Sequence, residues 1–232
     1  MRRMHGSDDQ MEEPTNLSTE KSYRSGDRIE RFDSAERFVH WTTAFLMLVC
    51  IGSVVAIQIP AAMVFFGGRT GLRIVHIISG TLLPIPLIMG FIGFKKSKFL
   101  KADLRILGRF TKEDFRWIRY WGNNENLVLG KFNGGQKANY AFMSGAVVVM
   151  MISGFVMQSF TVLPLSYRIG ATFTHKLFAW LIVIVIVGHI GYALTNFDSL
   201  KSMVTLKISR KWAEIHCRDW VEEHDNAKAT EI

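Results

Sequence analysis

Apolar and polar positions follow one another along this chain in long blocks, not in the short rhythm of a soluble domain. Four blocks, at about 38–59, 74–94, 138–159 and 171–196, are almost uninterrupted in apolar residues. A helix needs about 20 such residues to cross the hydrocarbon core of a bilayer. The pattern predicts an all-α integral membrane protein built on four transmembrane helices. It also divides the chain into three parts: a polar tail at 1–27, a membrane domain at 28–198, and a C-terminal helix and tail at 199–232.

The connections have patterns of their own. Between the second and third blocks, Leu104, Leu107 and Phe110, then Phe115, Ile118 and Trp121, recur at three-residue intervals among lysines and arginines. This predicts one or two short amphipathic helices, which either lie on the cytoplasmic membrane surface or dock another subunit. The turn-rich stretch NENLVLGKFNGGQK then leads into the third block. After the fourth, Met203, Leu206, Trp212 and Trp220 stand among basic residues from Ser199 to about Glu223, and predict one more interfacial helix. Residues 1–27 carry almost no large apolar side chains, a composition that predicts disorder. The first block has no small-residue cleavage site behind it, so it reads as a span and not as a removable signal.

The net charge of +8 is a statement about topology once its location is considered. Seven lysines and arginines precede the first block, eleven lie between the second and third, and six follow the fourth. The other two connections hold only Arg69 and Arg73, and Arg168. By the positive-inside rule both termini and the long middle connection are cytoplasmic, in a bacterial or archaeal inner membrane. The basic excess attracts anionic lipid headgroups and does not call for nucleic acid. Only two cysteines are present, Cys50 and Cys217, which excludes a disulfide framework, covalent c-type haem and an iron–sulfur cluster within this chain.

Seven histidines remain to be explained, and four of them fall in or at the apolar blocks: His40, His76, His175 and His189. An ionisable side chain in hydrocarbon is costly and marks a site. Alternating helix directions place His40 and His189 near the cytoplasmic face, and His76 and His175 near the outer face. His175 and His189 are fourteen residues apart, about 21 Å along a helix, and roughly 40° short of four full turns. Both therefore project from one side of the fourth helix, each with one partner at its own depth. Two pairs at two levels predict two non-covalent, six-coordinate b-type haems, His76 with His175 and His40 with His189. Zinc is the rival metal, but it gathers its ligands in one place. Gly52, Gly80, Gly154, Gly188 and Gly191 either make room for a wide macrocycle or serve plain helix packing. Arg37 and Arg73 each precede a candidate ligand by three residues; they either pair with haem propionates or snorkel to lipid phosphates.

These features resemble the cytochrome b (gamma) subunit of membrane-bound respiratory formate dehydrogenase. The resemblance rests on Arg37-Phe-Val-His40-Trp41, Arg73-Ile-Val-His76, Gly130-Lys-Phe-Asn133-Gly-Gly135-Gln136-Lys137, the spacing of His175 and His189, and Ile208-Ser-Arg-Lys-Trp-Ala213. It extends from about residue 28 to about residue 223, and the extension before it is a departure. The resemblance implies a four-helix di-haem bundle that receives electrons from an iron–sulfur subunit. That subunit is fed by a molybdenum or tungsten catalytic subunit that oxidises formate on the outer side. The outer haem, on His76 and His175, would pass electrons to the inner haem, on His40 and His189. A quinone, menaquinone or ubiquinone, would be reduced beside the inner haem by a site that involves Asn133, Gly135, Gln136 and His189. Two other expectations stand beside this one: a cytochrome b subunit of a hydrogenase or thiosulfate reductase, and a haem-free membrane anchor or transporter.

Overall fold

The computed structural model describes residues 27–93, 97–122 and 129–230. A short strand, β1 (Arg28–Glu30), leads into the first long helix, α1 (Ser34–Ala56). A short helix, α2 (Pro60–Phe65), turns the chain at the far end, where Gly67 and Gly68 take positive φ angles of 73° and 79°. Any side chain would strain the backbone there. The return path is α3 (Gly68–Leu82) and α4 (Ile85–Gly93), followed by α5 (Lys98–Leu107) and α6 (Lys112–Tyr120). Two further long helices, α7 (Gly134–Gln158) and α8 (Leu165–Thr195), form the second hairpin. The chain then runs through α9 (Phe197–Thr205), β2 (Lys207–Ser209), α10 (Arg210–His216) and α11 (Arg218–Thr230).

Four helical stretches have the length and composition of membrane spans: Ser34–Ala56, Gly68–Gly90, Gly134–Gln158 and Leu165–Thr195. The protein is a multi-pass helical membrane bundle. Helix starts are fixed locally. Asp33 and Glu36 form a reciprocal capping box on α1, as do Thr111 and Asp114 on α6, and Asn133 and Gln136 on α7. Each satisfies two backbone N–H groups that the first turn leaves unpaired.

The expected second span is broken. Pro84 has no N–H for the carbonyl of Gly80, which instead accepts from the amide of Leu83 at 3.3 Å. The ladder resumes with the Ile88 amide bonded to the Pro84 carbonyl at 3.2 Å, so one span is made of two helices. The span also starts six residues earlier than expected, and its expected end at Phe94 lies outside the described residues. Where one or two amphipathic helices were expected, the middle connection contains two, α5 and α6. Most of the expected disordered tail also lies outside the described residues.

The C-terminal segment is not one helix. Leu206 adopts a left-handed conformation, φ 66°, and β2 then pairs antiparallel with β1 in the register Arg28↔Ser209, Ile29↔Ile208, Glu30↔Lys207. Pairing of three residues outweighs the helical spacing of the apolar positions because it buries Ile29 and Ile208. These two join Ala213, Cys217, Trp220 and Val221 in a small core of their own. This core closes one end of the bundle, the end at which α1 and α7 begin and α8 finishes. A second apolar cluster fills the middle of the bundle: Met47 and Cys50 of α1, Leu83, Ala146 of α7 and Ile182 of α8.

Candidate functional site

Helix α8 runs past both candidate centres. Near the open end of the bundle, the rings of His76 on α3 and His175 on α8 meet at a steep angle of 68° with centres 6.2 Å apart. Near the closed end, those of His40 on α1 and His189 on α8 are 6.3 Å apart. Neither distance permits a direct hydrogen bond or a stacked contact, yet the two values are nearly the same. Two metal–imidazole bonds of about 2.0–2.1 Å, with roughly 1.1 Å from each nitrogen to its ring centre, put the centres roughly 6.3 Å apart across one ion (the zinc bond length standing for a first-row metal). Each pair thus leaves room for one metal ion between its two imidazoles. Among the described residues no three His, Cys, Asp or Glu side chains converge on a point, whereas a structural zinc site gathers four ligands.

Hydrogen bonds fix which nitrogen faces the gap at the open end. Nδ1 of His76 lies 3.0 Å from the Cys50 carbonyl oxygen and 3.1 Å from the Ser53 hydroxyl. Nδ1 of His175 lies 2.9 Å from the Ser153 hydroxyl, and that hydroxyl donates its own proton to the Val149 carbonyl at 2.7 Å. With its proton committed, Ser153 accepts from Nδ1–H. With Nδ1–H spent on these acceptors, Nε2 is the nitrogen left free on each ring to bind a metal. Among the described residues no such bond orients His40 or His189, and His40 instead packs edge-on against Trp41 at 5.3 Å.

The surroundings suit a wide plate. Gly154 lies beside His175, where a Cβ would make an ordinary contact of 3.5 Å with Cε1. The backbone at Gly52, next to Ser53, and at Gly188, next to His189, borders open space. The apolar cluster of Met47, Cys50, Leu83, Ala146 and Ile182 separates the two levels. The donor set, two neutral imidazoles per level with apolar walls and no thiolate or carboxylate, fits haem.

The two arginines singled out from sequence are used differently. Arg37 donates to the Val204 carbonyl at 3.2 Å, and Trp41 donates to that of Met203 at the same distance, so both tie α1 to α9. Arg73 donates to Oε1 of Gln158 at 3.0 Å and faces the open end of the bundle.

The turn before α7 contributes more than a cap. Asn133 uses its Oδ1 to accept from the Gln136 amide at 2.9 Å, while its Nδ2 donates to the Tyr192 hydroxyl at 3.1 Å. Gln136 spends its Oε1 on the Asn133 amide at 3.0 Å, so it is chiefly a capping residue. Trp117 of α6 meets Tyr192 edge-on at 6.2 Å and covers Gly135 so closely that a Cβ there would collide with the indole. Asn133, Gly135, Trp117 and Tyr192 thus gather one turn beyond His189. Tyr192 and Trp117 escaped the sequence reading. The spacing of Tyr192, three residues after His189, was the available signal; Trp117 comes from a different helix and left none.

Beneath this corner lies a buried charged network. Lys131 pairs with Asp103, stands 4.0 Å from Glu36, and is ringed by Phe32, Phe99, Phe132 and Trp220 at 5.0–6.0 Å. Lys137 pairs with Asp114 at 2.7 Å. Arg31 donates to Ser199 at 2.9 Å and to the Lys131 carbonyl at 3.3 Å, and its burial lowers its pKa from the ordinary value. Two lysines that the charge pattern counts as surface cations are therefore internal counter-ions that bind the middle connection to the bundle.

A family model for prokaryotic cytochrome b561 matches residues 31–206. The chain is 24% identical over 216 residues to the nitrate-inducible formate dehydrogenase cytochrome b556(Fdn) subunit of Escherichia coli (strain K12), covering 87% of this chain and 94% of that protein. It is 25% identical over 206 residues to the formate dehydrogenase cytochrome b556(fdo) subunit of the same organism, covering 85% and 93%. A formate dehydrogenase cytochrome b556 subunit of Haemophilus influenzae is 26% identical over 218 residues, covering 88% and 87%. With a match that spans most of its length and takes in all four histidines, the chain belongs to the prokaryotic cytochrome b561 family.

Proposed function

We propose that this chain is the di-haem cytochrome b subunit of a formate dehydrogenase complex, carrying electrons from an iron–sulfur partner to quinone. Membership in a cytochrome b family implies haem b, and the similar proteins are named as subunits of formate dehydrogenases. The single observation that carries the count of two haems is the pair of histidine couples on α8, with ring centres 6.2 and 6.3 Å apart. Haem held by these histidines would supply one-electron carriage at each level, and a second imidazole would favour electron transfer over oxygen chemistry.

The concentration of lysine and arginine at the closed end supports an orientation with that end and both termini in the cytoplasm of a prokaryotic inner membrane. His76 and His175 then hold the outer haem, which faces the iron–sulfur subunit and, through it, a molybdenum or tungsten subunit that oxidises formate. His40 and His189 hold the inner haem. Quinone, menaquinone or ubiquinone, takes electrons beside it, at the corner formed by Asn133, Gly135, Tyr192 and His189. Asn133 and Tyr192 offer polar atoms to a quinone oxygen there, and Trp117 walls the corner with an aromatic face. Protons taken up from the cytoplasm while formate is oxidised outside make the reaction electrogenic.

The test is purification of the complex from native membranes with haem stoichiometry and subunit identification. Two b-type haems per chain are expected, both reduced by formate. Ala at His76 or His175 removes one of them, and Ala at His40 or His189 removes the other. One haem or none in the wild type, or loss of the same haem from all four variants, would overturn the reading. A hydrogenase large subunit in place of the formate-oxidising one would leave the haems standing and reassign the electron donor.

A further inference from the structure

At the open end of the bundle, α3, α7 and the start of α8 border an open cleft of about 300 Å³ lined in part by Arg73, Gln158, Phe160, Arg168 and Thr172. Two guanidinium groups share one aromatic ring there: Arg168 lies 4.5 Å and Arg73 5.9 Å from the centre of Phe160. Among the described residues neither arginine has a carboxylate partner. Arg73 donates to a neutral amide, Gln158, and Nε of Arg168 is buried with no acceptor among the described residues. Two cations held together around a cleft, one with a buried donor unspent, is an arrangement completed by an anion.

The position of the pair says which anion. Arg73 stands three residues before His76, and Thr172 stands three before His175, so both are one turn nearer the open end than the ligand pair. Arg168 is one turn farther, about 10 Å along α8 from His175. We infer that Arg168, together with Arg73, clamps the propionate carboxylates of the outer haem, with the Thr172 side chain beside them. Arg168 and Thr172 are on the fourth helix, so the clamp locks the haem edge to the same helix that supplies one axial ligand. The inference rests on the di-haem reading and extends it to residues that the spacing of the first and second spans does not reveal. Arg168 reads from sequence only as an isolated loop cation.

The experiment is a spectroelectrochemical titration of both haems in the intact complex, comparing wild type with Arg168→Gln, Arg73→Gln and Arg168→Lys. Loss of a cation beside the propionates leaves their negative charge to favour ferric iron. The outer haem of Arg168→Gln is expected to shift several-fold toward the oxidised form at a fixed potential, with the inner haem unmoved and Arg168→Lys in between. Should the glutamine variant not assemble, the lysine variant alone decides, since it keeps the charge but loses the fork geometry. An outer haem that titrates as in wild type, with both haems present, would overturn the clamp and leave the di-haem reading intact. Equally decisive against it is an anionic phospholipid that co-purifies with wild type and is lost from Arg168→Gln without any change in potential. A wild type holding fewer than two haems would instead defeat the underlying reading.

Discussion

The hydroxyl of Ser153 accepts a hydrogen bond from Nδ1 of His175 at 2.9 Å while giving its own proton to the backbone of α7. Such partners of a metal-binding imidazole typically contribute 10–100-fold to affinity. On the proposed reading, Ser153→Ala is therefore expected to weaken haem binding at the His76–His175 pair by about 10-fold or more. Ser53→Ala should cost less, because Nδ1 of His76 keeps the Cys50 carbonyl at 3.0 Å. Haem titration of the purified variants checks the ranking, and an equal effect of both substitutions would show that the acceptors are not what orients the rings.

Tyr192 and Asn133 make the matching prediction for the closed end. Removing the phenol in Tyr192→Phe takes one polar group from the corner and leaves the Asn133 Nδ2 donor without its partner at 3.1 Å. A neutral hydrogen bond is worth about 0.5–1.5 kcal/mol, or roughly 2- to 12-fold in a binding constant. The KM for quinone should rise by that order while the haem spectrum stays unchanged, since the ring of Tyr192 still packs on Trp117. Steady-state formate:quinone assays measure it. A KM identical to wild type would move the quinone away from this corner.

What could be read from sequence divides along physical lines. The four histidines stood out because hydrocarbon makes an ionisable group conspicuous, and alternating span directions with helix geometry predicted which share a level; their ring centres lie 6.2 and 6.3 Å apart. Ser53 and Ser153 did not stand out. Their roles depend on contacts across 22 or 23 residues between antiparallel helices, and a serine in a span carries no comparable signal. The β1–β2 pair was hidden for another reason: three residues per strand are too few for an alternation to be recognised against flanking helical spacing. Lys131 and Lys137 look like any other loop lysine, and only the folded chain brings Asp103 and Asp114 to them.

Lys131 leads to a stability prediction. Its ammonium is buried against Asp103 with Glu36 at 4.0 Å, inside a ring of four aromatic side chains. Lys131→Met keeps the volume but leaves the Asp103 carboxylate buried without its cation, a change that costs about 3–5 kcal/mol in comparable sites. Restoring neutrality with Lys131→Met/Asp103→Leu should recover much of that loss. Limited proteolysis of the closed end, followed across temperature, distinguishes the two variants. If the single substitution were no more sensitive than wild type, the pair would contribute nothing to holding the middle connection in place.

Cys217 gives the same region a pH dependence. The thiol is 4% exposed, and burial raises its pKa, with Arg31 and Lys131 offsetting part of the shift. In the unfolded chain a thiol ionises near about 8.5, before the folded one does. The preference for the neutral form therefore stabilises the closed end fully below that pH, and the stability falls as pH rises toward and through the folded value. Alkylation of Cys217 should be slow at neutral pH and accelerate only well into the alkaline range, more steeply than the exposed-thiol curve predicts. Cys217→Ala removes the ionising group, so its resistance to proteolysis should be less pH-dependent over the same interval. Peptide mapping after timed iodoacetamide treatment resolves Cys217 from Cys50, and rapid labelling at neutral pH would mean that the core of Ile29, Ile208 and Trp220 opens readily in the folded protein.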